Sequence, residues 1–181
     1  LSILFNKNIK MIYNDVRKFG FIKVAKTQNL NQISHLKFLG PEPLSIKFNK
    51  IYFQSQIKGR KKNIKDLLMD QTFLSGLGNI YSNEVLFLSK LNPKRKITTL
   101  NRRHISTIIK NIKNILRKAI LSGGSSIKDF NNTFGKAGSF QQFFKVYGRN
   151  SLKCVRKNCK GTIRKVNISN RSTFFCSNCQ K

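Results

Sequence analysis

Four cysteines carry the plainest chemistry in the chain: Cys154-x4-Cys159, then sixteen intervening residues, then Cys176-x2-Cys179. Two close thiol pairs separated by a stretch that can fold back on itself form a tetrahedral zinc pattern. The competing reading is a pair of disulfides. The opening run Leu1-Ser-Ile-Leu-Phe5 is too short an apolar stretch for a secretory signal, so nothing in the sequence supports an oxidising compartment. With four thiolate ligands the ion has no open position for water, and its role is structural rather than catalytic. A segment of this size rarely folds on apolar burial alone, whereas structural zinc contributes on the order of 10–16 kcal/mol of apparent binding free energy. Gly161–Val166 and Ser172–Cys176 read as the strands of a hairpin joined through Asn167–Arg171, which returns the second cysteine pair to the first. That places Arg171 at the tip, near Lys157, Lys160, Arg164 and Lys165. A β-ribbon can hold an arginine against phosphate or a base edge; an arginine solvated in a turn is the plainer alternative.

Charge frames this motif. The 181 residues include 36 Lys plus Arg against 6 Asp plus Glu, a formal net charge of +30. The carboxylates are Asp15, Glu42, Asp66, Asp70, Glu84 and Asp129, with no evident acid/base pair spacing. A hydrolase built on facing carboxylates is disfavoured, and so is an oxygen-rich Mg²⁺ or Ca²⁺ site. So large a positive excess points to a polyanionic partner, although the abundance of Lys, Asn and Ile is also what biased coding produces. A hydrophobic fraction of 39% with 15 Phe is enough for a core and excludes a disordered basic tail. No stretch reaches the roughly 18 apolar residues of a membrane span.

The elements around the cysteines follow from periodicity. Ile9–Tyr13 and Phe19–Val24 alternate as two short strands, too few to bury a sheet of their own. Residues 28–150 read mainly as helix: a short one around Ile64, Leu67 and Leu68, and one from Asn79 with Tyr81, Val85 and Leu88 on a common face. A long one runs over Thr99–Leu121 with Ile105, Ile108, Ile109, Ile112, Leu116 and Ala119 as its stripe. Gly123-Gly124 ends it. Its other face carries Arg102, Arg103, Lys110, Lys113 and Lys118, read as a solvated face. Residues 131–150 read as loop and linker.

Taken in order, several segments resemble one family over nearly the whole chain. They are Tyr13-Asn-Asp-Val-Arg-Lys-Phe-Gly20, Leu39-Gly-Pro-Glu-Pro-Leu44, Ile64-Lys-Asp-Leu-Leu-Met-Asp70 and Gly76-Leu-Gly-Asn-Ile-Tyr81. Gly135-Lys-Ala-Gly138, Val146-Tyr-Gly-Arg149 and Arg171-Ser-Thr-Phe-Phe-Cys-x-x-Cys-Gln180 follow. Together they resemble the Fpg/Nei family of base-excision repair enzymes, and formamidopyrimidine-DNA glycosylases within it.

The resemblance implies a mainly α helix–two-turn–helix domain over residues 29–145 and a C-terminal β-hairpin zinc finger over 146–181. It makes the strands of residues 1–28 a remnant of an N-terminal β-sandwich catalytic domain. It implies one structural Zn²⁺ on Cys154, Cys159, Cys176 and Cys179, and a monomer acting on damaged double-stranded DNA in the bacterial cytoplasm, at the nucleoid, with no membrane. The implied activity is bifunctional: excision of oxidised purines (formamidopyrimidine, 8-oxoguanine), then strand cleavage by β,δ-elimination. Lys65 and Asn79 match phosphate-contacting positions, and Arg60 a further DNA-binding one. Arg17 and Phe19 match the probe that fills the stack when a base is flipped out. Lys136 lies in the segment matching the loop over the extruded base, where Ala137 replaces an expected proline. Arg171 matches the finger arginine of the δ-elimination step; a guanidinium acts there more naturally by stabilising charge than by giving up a proton. The family's nucleophile is an N-terminal proline followed by glutamate, whereas residues 1 and 2 here are Leu and Ser. The expectation is that the catalytic part of such an enzyme is missing and that this polypeptide alone is inactive. The alternative is a zinc-containing DNA-binding module without chemistry.

Overall fold

The computed structural model describes residues 1–5, 9–15, 18–125 and 138–181. They form two compact units, Leu1–Lys37 and Phe38–Lys181.

In the first unit, β1 (Ser2–Leu4) pairs antiparallel with β2 (Lys10–Ile12), Ile3 opposite Met11. The second expected strand, Phe19–Val24, does not form; the partner of β2 lies before it in sequence. Alternation alone does not make a strand without a neighbour to take its N–H and C=O groups. Instead the Asp15 carboxylate organises a turn, accepting from the Lys18 amide at 3.0 Å and the Gly20 amide at 2.6 Å. A 3-10 turn (Thr27–Gln32) and the single helical turn α1 (Ser34–Lys37) complete the unit. Among its described residues no large apolar side chain is buried.

The second unit is built on helices α2 (Lys50–Ile57), α3 (Ile64–Met69), α4 (Asn79–Leu88) and α5 (Arg102–Leu121). Asparagine starts three of them. Asn49, Asn63 and Asn101 accept from the Tyr52, Asp66 and His104 amides, at 3.0, 2.8 and 2.9 Å, satisfying donors that a helix start leaves orphaned. The α5 stripe seals the core, with Ile105, Ile108, Ile112, Ile115 and Ala119 buried, and Ile109 and Leu116 packed at its margin. Gly123 and Gly124, at φ 69° and 85°, end the helix where a Cβ would be strained. On α4, Val85 is buried and Tyr81 packs on the core, but Leu88 is exposed; the buried face instead includes the polar residues Ser82, Asn83 and Glu84.

The C-terminal hairpin pairs β3 (Ile163–Ile168) with β4 (Arg171–Cys176), Ile168 opposite Arg171. Its turn is tighter than the sequence implied. Only Ser169 and Asn170 lie between the strands, both left-handed at φ 48° and 59°, the geometry two-residue hairpins favour. Arg171 is therefore the first residue of β4 rather than the tip. The hairpin lies against α4, so the finger and the helical body share that helix.

Candidate nucleic-acid interface and metal centre

The four cysteine Sγ atoms all lie within 4.8 Å of one another. Cys154 and Cys179 stand 3.8 Å apart, Cys159 and Cys176 3.6 Å. Each short pair joins a cysteine from one side of the hairpin to one from the other. A tetrahedron of Zn–S bonds of about 2.3 Å has S···S edges of about 3.8 Å, so the residues fit one zinc ion. Burial pushes the Cys154 thiol up to about 12, while a hydrogen bond from the Asn178 amide draws Cys159 down to about 6. Four thiolates this close need a cation among them, and zinc on a closed four-sulfur site is structural. Space is reserved for the cluster by Gly161, where a Cβ would stand 2.8 Å from Cys176 Sγ and 2.6 Å from Asn178 Cβ.

A cleft of about 490 Å³ opens where the hairpin meets α3, lined by Lys62, Lys65, Asp66, Met69, Asp70, Ile168, Ser169 and Arg171. It brings Lys65 and Arg171 to one site although they are far apart in sequence. Arg171 is exposed. The Lys65 side chain is buried and its ammonium donates to Asn79 Oδ1 at 2.7 Å and to the Asn79 carbonyl at 3.3 Å. Burial pushes Lys65 down to about 7, against the opposing pull of the Asp66 carboxylate. Asn79 opens α4 and donates its side-chain N–H to the Ser172 carbonyl at 3.0 Å. Gly78, just before it, is exposed and supplies no side-chain cap. The first N–H groups of α4 thus lack the asparagine partner that α2, α3 and α5 have. Lys65 and Arg171 bring positive charge to this cleft, and Asn79 ties the Lys65 ammonium to the start of α4, a setting suited to a phosphate.

The two aspartates show what the sequence did not disclose. Both Asp66 and Asp70 line this cleft, and both are engaged. Asp66 accepts from Ser169 Oγ and Asn63 Nδ2, at 2.7 and 2.6 Å, tying the hairpin turn to α3. Asp70 accepts from Lys62 at 2.7 Å and faces Arg60 at 3.8 Å. Burial alone would raise its carboxyl, but hydrogen bonds from Lys62 and Thr72 hold it at about 2. Arg60 also donates to Gln56 at 3.1 Å, so its charge faces a carboxylate in the free protein. Phe19 belongs to the first unit and is 83% exposed. Arg17 and Lys136 lie outside the described residues.

A further set of polar residues on α4 escaped the sequence reading. The Glu84 carboxylate accepts from the amides of Lys145, Val146 and Tyr147, each at 2.9 Å, and Asn83 Oδ1 accepts from the Phe174 amide at 2.9 Å. Burial pushes the Glu84 carboxyl upward and those three N–H groups oppose it. The available signal was two polar residues inside an apolar helix, a pattern that in a buried helix demands partners.

Comparison with known proteins agrees with this geometry. Residues 39–131 match the formamidopyrimidine-DNA glycosylase H2TH domain, and residues 151–181 match the zinc finger found in FPG and IleRS. The chain is 38% identical over 177 residues to the formamidopyrimidine-DNA glycosylase of Dinoroseobacter shibae, covering 98% of this chain and 62% of that protein. The Bartonella tribocorum formamidopyrimidine-DNA glycosylase is 41% identical, with 94% and 60% covered. Among solved structures, a Lactococcus lactis Fpg in complex with an abasic site containing DNA superposes with a TM-score of 0.89 at 36% identity, over 99% of this chain and 65% of that one. Thermus thermophilus MutM (FPG) gives 0.88 at 31% identity, over 99% and 67%. The chain thus spans less than two thirds of the length of those two relatives. Among the described residues no helix is long and apolar enough to cross a membrane.

Proposed function

The chain belongs to the formamidopyrimidine-DNA glycosylase family, with its H2TH domain and zinc finger, and from that premise we propose that it grips the backbone of damaged double-stranded DNA in base-excision repair. The observation that carries this is the convergence of Lys65 and Arg171 on one cleft, with Asn79 at the start of α4 accepting from the Lys65 ammonium. Phosphate contacts of this kind position a protein on the duplex without reading sequence. Asn79 orients the Lys65 ammonium and the hairpin together, because its two side-chain atoms serve one each. Arg60, freed from Asp70 by a competing phosphate, is a further contact. Phe19 is a wedge for the space a flipped base vacates, with Arg17 beside it in sequence facing the estranged base, and Lys136 belongs to the loop over the extruded base.

In this reading residues 1–28 are part of the catalytic β-sandwich, 29–145 the helical DNA-binding domain and 146–181 the finger. Whole members of the family excise oxidised purines and cleave the abasic strand by β,δ-elimination. In such a whole protein Arg171 stabilises the leaving phosphate by charge. For the interface, Arg171→Ala and Asn79→Ala should each weaken binding to a lesion duplex. Arg171→Ala should lower the slope of log affinity against log salt by about 0.9, the share of one phosphate, while Asn79 acts through the Lys65 ammonium it orients. Unchanged affinity and slope in both variants defeats the reading.

A further inference from the structure

Asn83 and Glu84 take no part in the phosphate cleft, yet they are 1% and 3% exposed in the middle of α4. A buried amide and a buried carboxylate are costly unless their hydrogen bonds are made. Here they are made to backbone of the finger and of the strap leading into it. Asn83 Nδ2 donates to the Asn79 carbonyl at 2.7 Å and its Oδ1 accepts from the Phe174 amide at 2.9 Å. One turn earlier, Asn79 donates to the Ser172 carbonyl at 3.0 Å. The two bonds match in pitch. Four residues of helix rise about 6 Å and two residues of strand about 6.7 Å, so α4 and β4 run side by side in register. Slipping the strand by one residue would turn every side chain of β4 to the opposite face. Glu84, next along the helix, fixes the strap by three amides, Lys145 to Tyr147.

We propose that Asn83 and Glu84 are positioning residues that lock the register of β4 on α4 and so set Arg171 opposite Lys65 at the mouth of the cleft. The zinc cluster closes the far end of the hairpin at Cys176, whereas Arg171 begins β4 at the other end. Zinc therefore shapes the finger, and the α4 row determines where its arginine stands. This rests on the phosphate reading of Arg171.

The test is a double-mutant cycle on the full 181-residue chain loaded with zinc, using a duplex that carries a tetrahydrofuran abasic-site analogue, over a salt series. Asn83→Ala should weaken binding about tenfold and reduce the salt slope by about 0.9, as Arg171→Ala does. The double variant should be no weaker than either single one. A double variant in which the two losses multiply overturns the proposal, because Asn83 then acts on binding without Arg171. A second readout needs no DNA. In Asn83→Ala, with one zinc still bound, the Phe174 amide should exchange hydrogen at least about tenfold faster than in the parent. Unchanged exchange there overturns the proposal whatever Arg171 does, while an inert Arg171→Ala in binding overturns only the phosphate reading. If Asn83→Ala does not fold, Glu84→Gln serves the same cycle. It keeps Oε1 for Val146 and Tyr147 but offers the Lys145 amide a donor in place of an acceptor. Its binding loss should likewise vanish in the Arg171→Ala background, and a loss that persists there counts against the proposal.

Discussion

The helical body and the finger sit on the same helix and are held by different forces. Among the described residues the body buries eighteen apolar ones in one continuous cluster from Phe48 to Phe140. The finger's cluster has six, of which Cys154 and Cys176 are zinc ligands and Phe87 belongs to α4. What the finger lacks in apolar burial it replaces with sulfur and with polar docking. Beyond the α4 row, Arg156 donates to the Phe87 carbonyl at 2.7 Å with its guanidinium 4.7 Å from the Phe87 ring centre, and Gln180 donates to the Leu91 carbonyl at 2.8 Å. A core tolerates loss piecemeal; a four-ligand cluster is either assembled or absent. The two regions should therefore fail independently and in different ways.

Metal removal gives the largest contrast. Chelation should release on the order of 10–16 kcal/mol of zinc-dependent folding energy and unfold the hairpin, with four thiols becoming titratable. Helical circular dichroism should largely remain, because no cysteine lies in the helical core; its collapse along with the metal would show that the body depends on the finger. The converse lesion is Ile108→Ala in the body, at a fully buried site. It should cost about 2–5 kcal/mol in denaturant unfolding while one zinc per chain is retained.

At the seam between the regions the effect is smaller and depends on pH. With Lys65 at about 7 in the free protein, a bound phosphate favours the ammonium and raises it, so binding above pH 7 takes up a proton. Affinity should be flat below about pH 6 and fall by up to about tenfold per unit above 7, and Lys65→Arg should remove the trend. The same depression acts on folding with a definite sign. Burial of the ammonium destabilises the fold fully below pH 7, and this is relieved as pH rises from 7 toward the ordinary lysine value of about 10.4. Smallest of all, Ser169→Ala deletes the 2.7 Å bond from the hairpin turn to Asp66. It should cost about 1 kcal/mol, seen as faster amide exchange at the turn with zinc content unchanged.

What could be read without the structure divides along physical lines. The cysteine spacing, the α5 stripe and the double-glycine stop are local signals, and each is where it was expected. The helix Lys50–Ile57 was not legible, because only Phe53 of its residues is buried while Ile51 is 80% exposed, so no stripe marks it. The expected strand at Phe19–Val24 failed for the opposite reason: a pattern was present without a partner. The hairpin turn was drawn too long because Asn170 beside Ser169 tolerates a left-handed backbone that spacing does not reveal. The cleft itself was invisible, since Asp66, Lys65 and Arg171 meet only when β4 is laid along α4. The burial of Asn83 and Glu84 depends on the strap and strand that cover them, both distant in sequence.

Gly161 has a consequence for reading variation in this chain. The place where a methyl group would collide with the Cys176 sulfur and the Asn178 side chain carries no chemistry of its own. A deep mutational scan of the finger should nevertheless show it as intolerant as the cysteines, with Gly161→Ala losing zinc while all four ligands remain. A gene bearing that single change would keep every recognisable motif and encode a finger that cannot close.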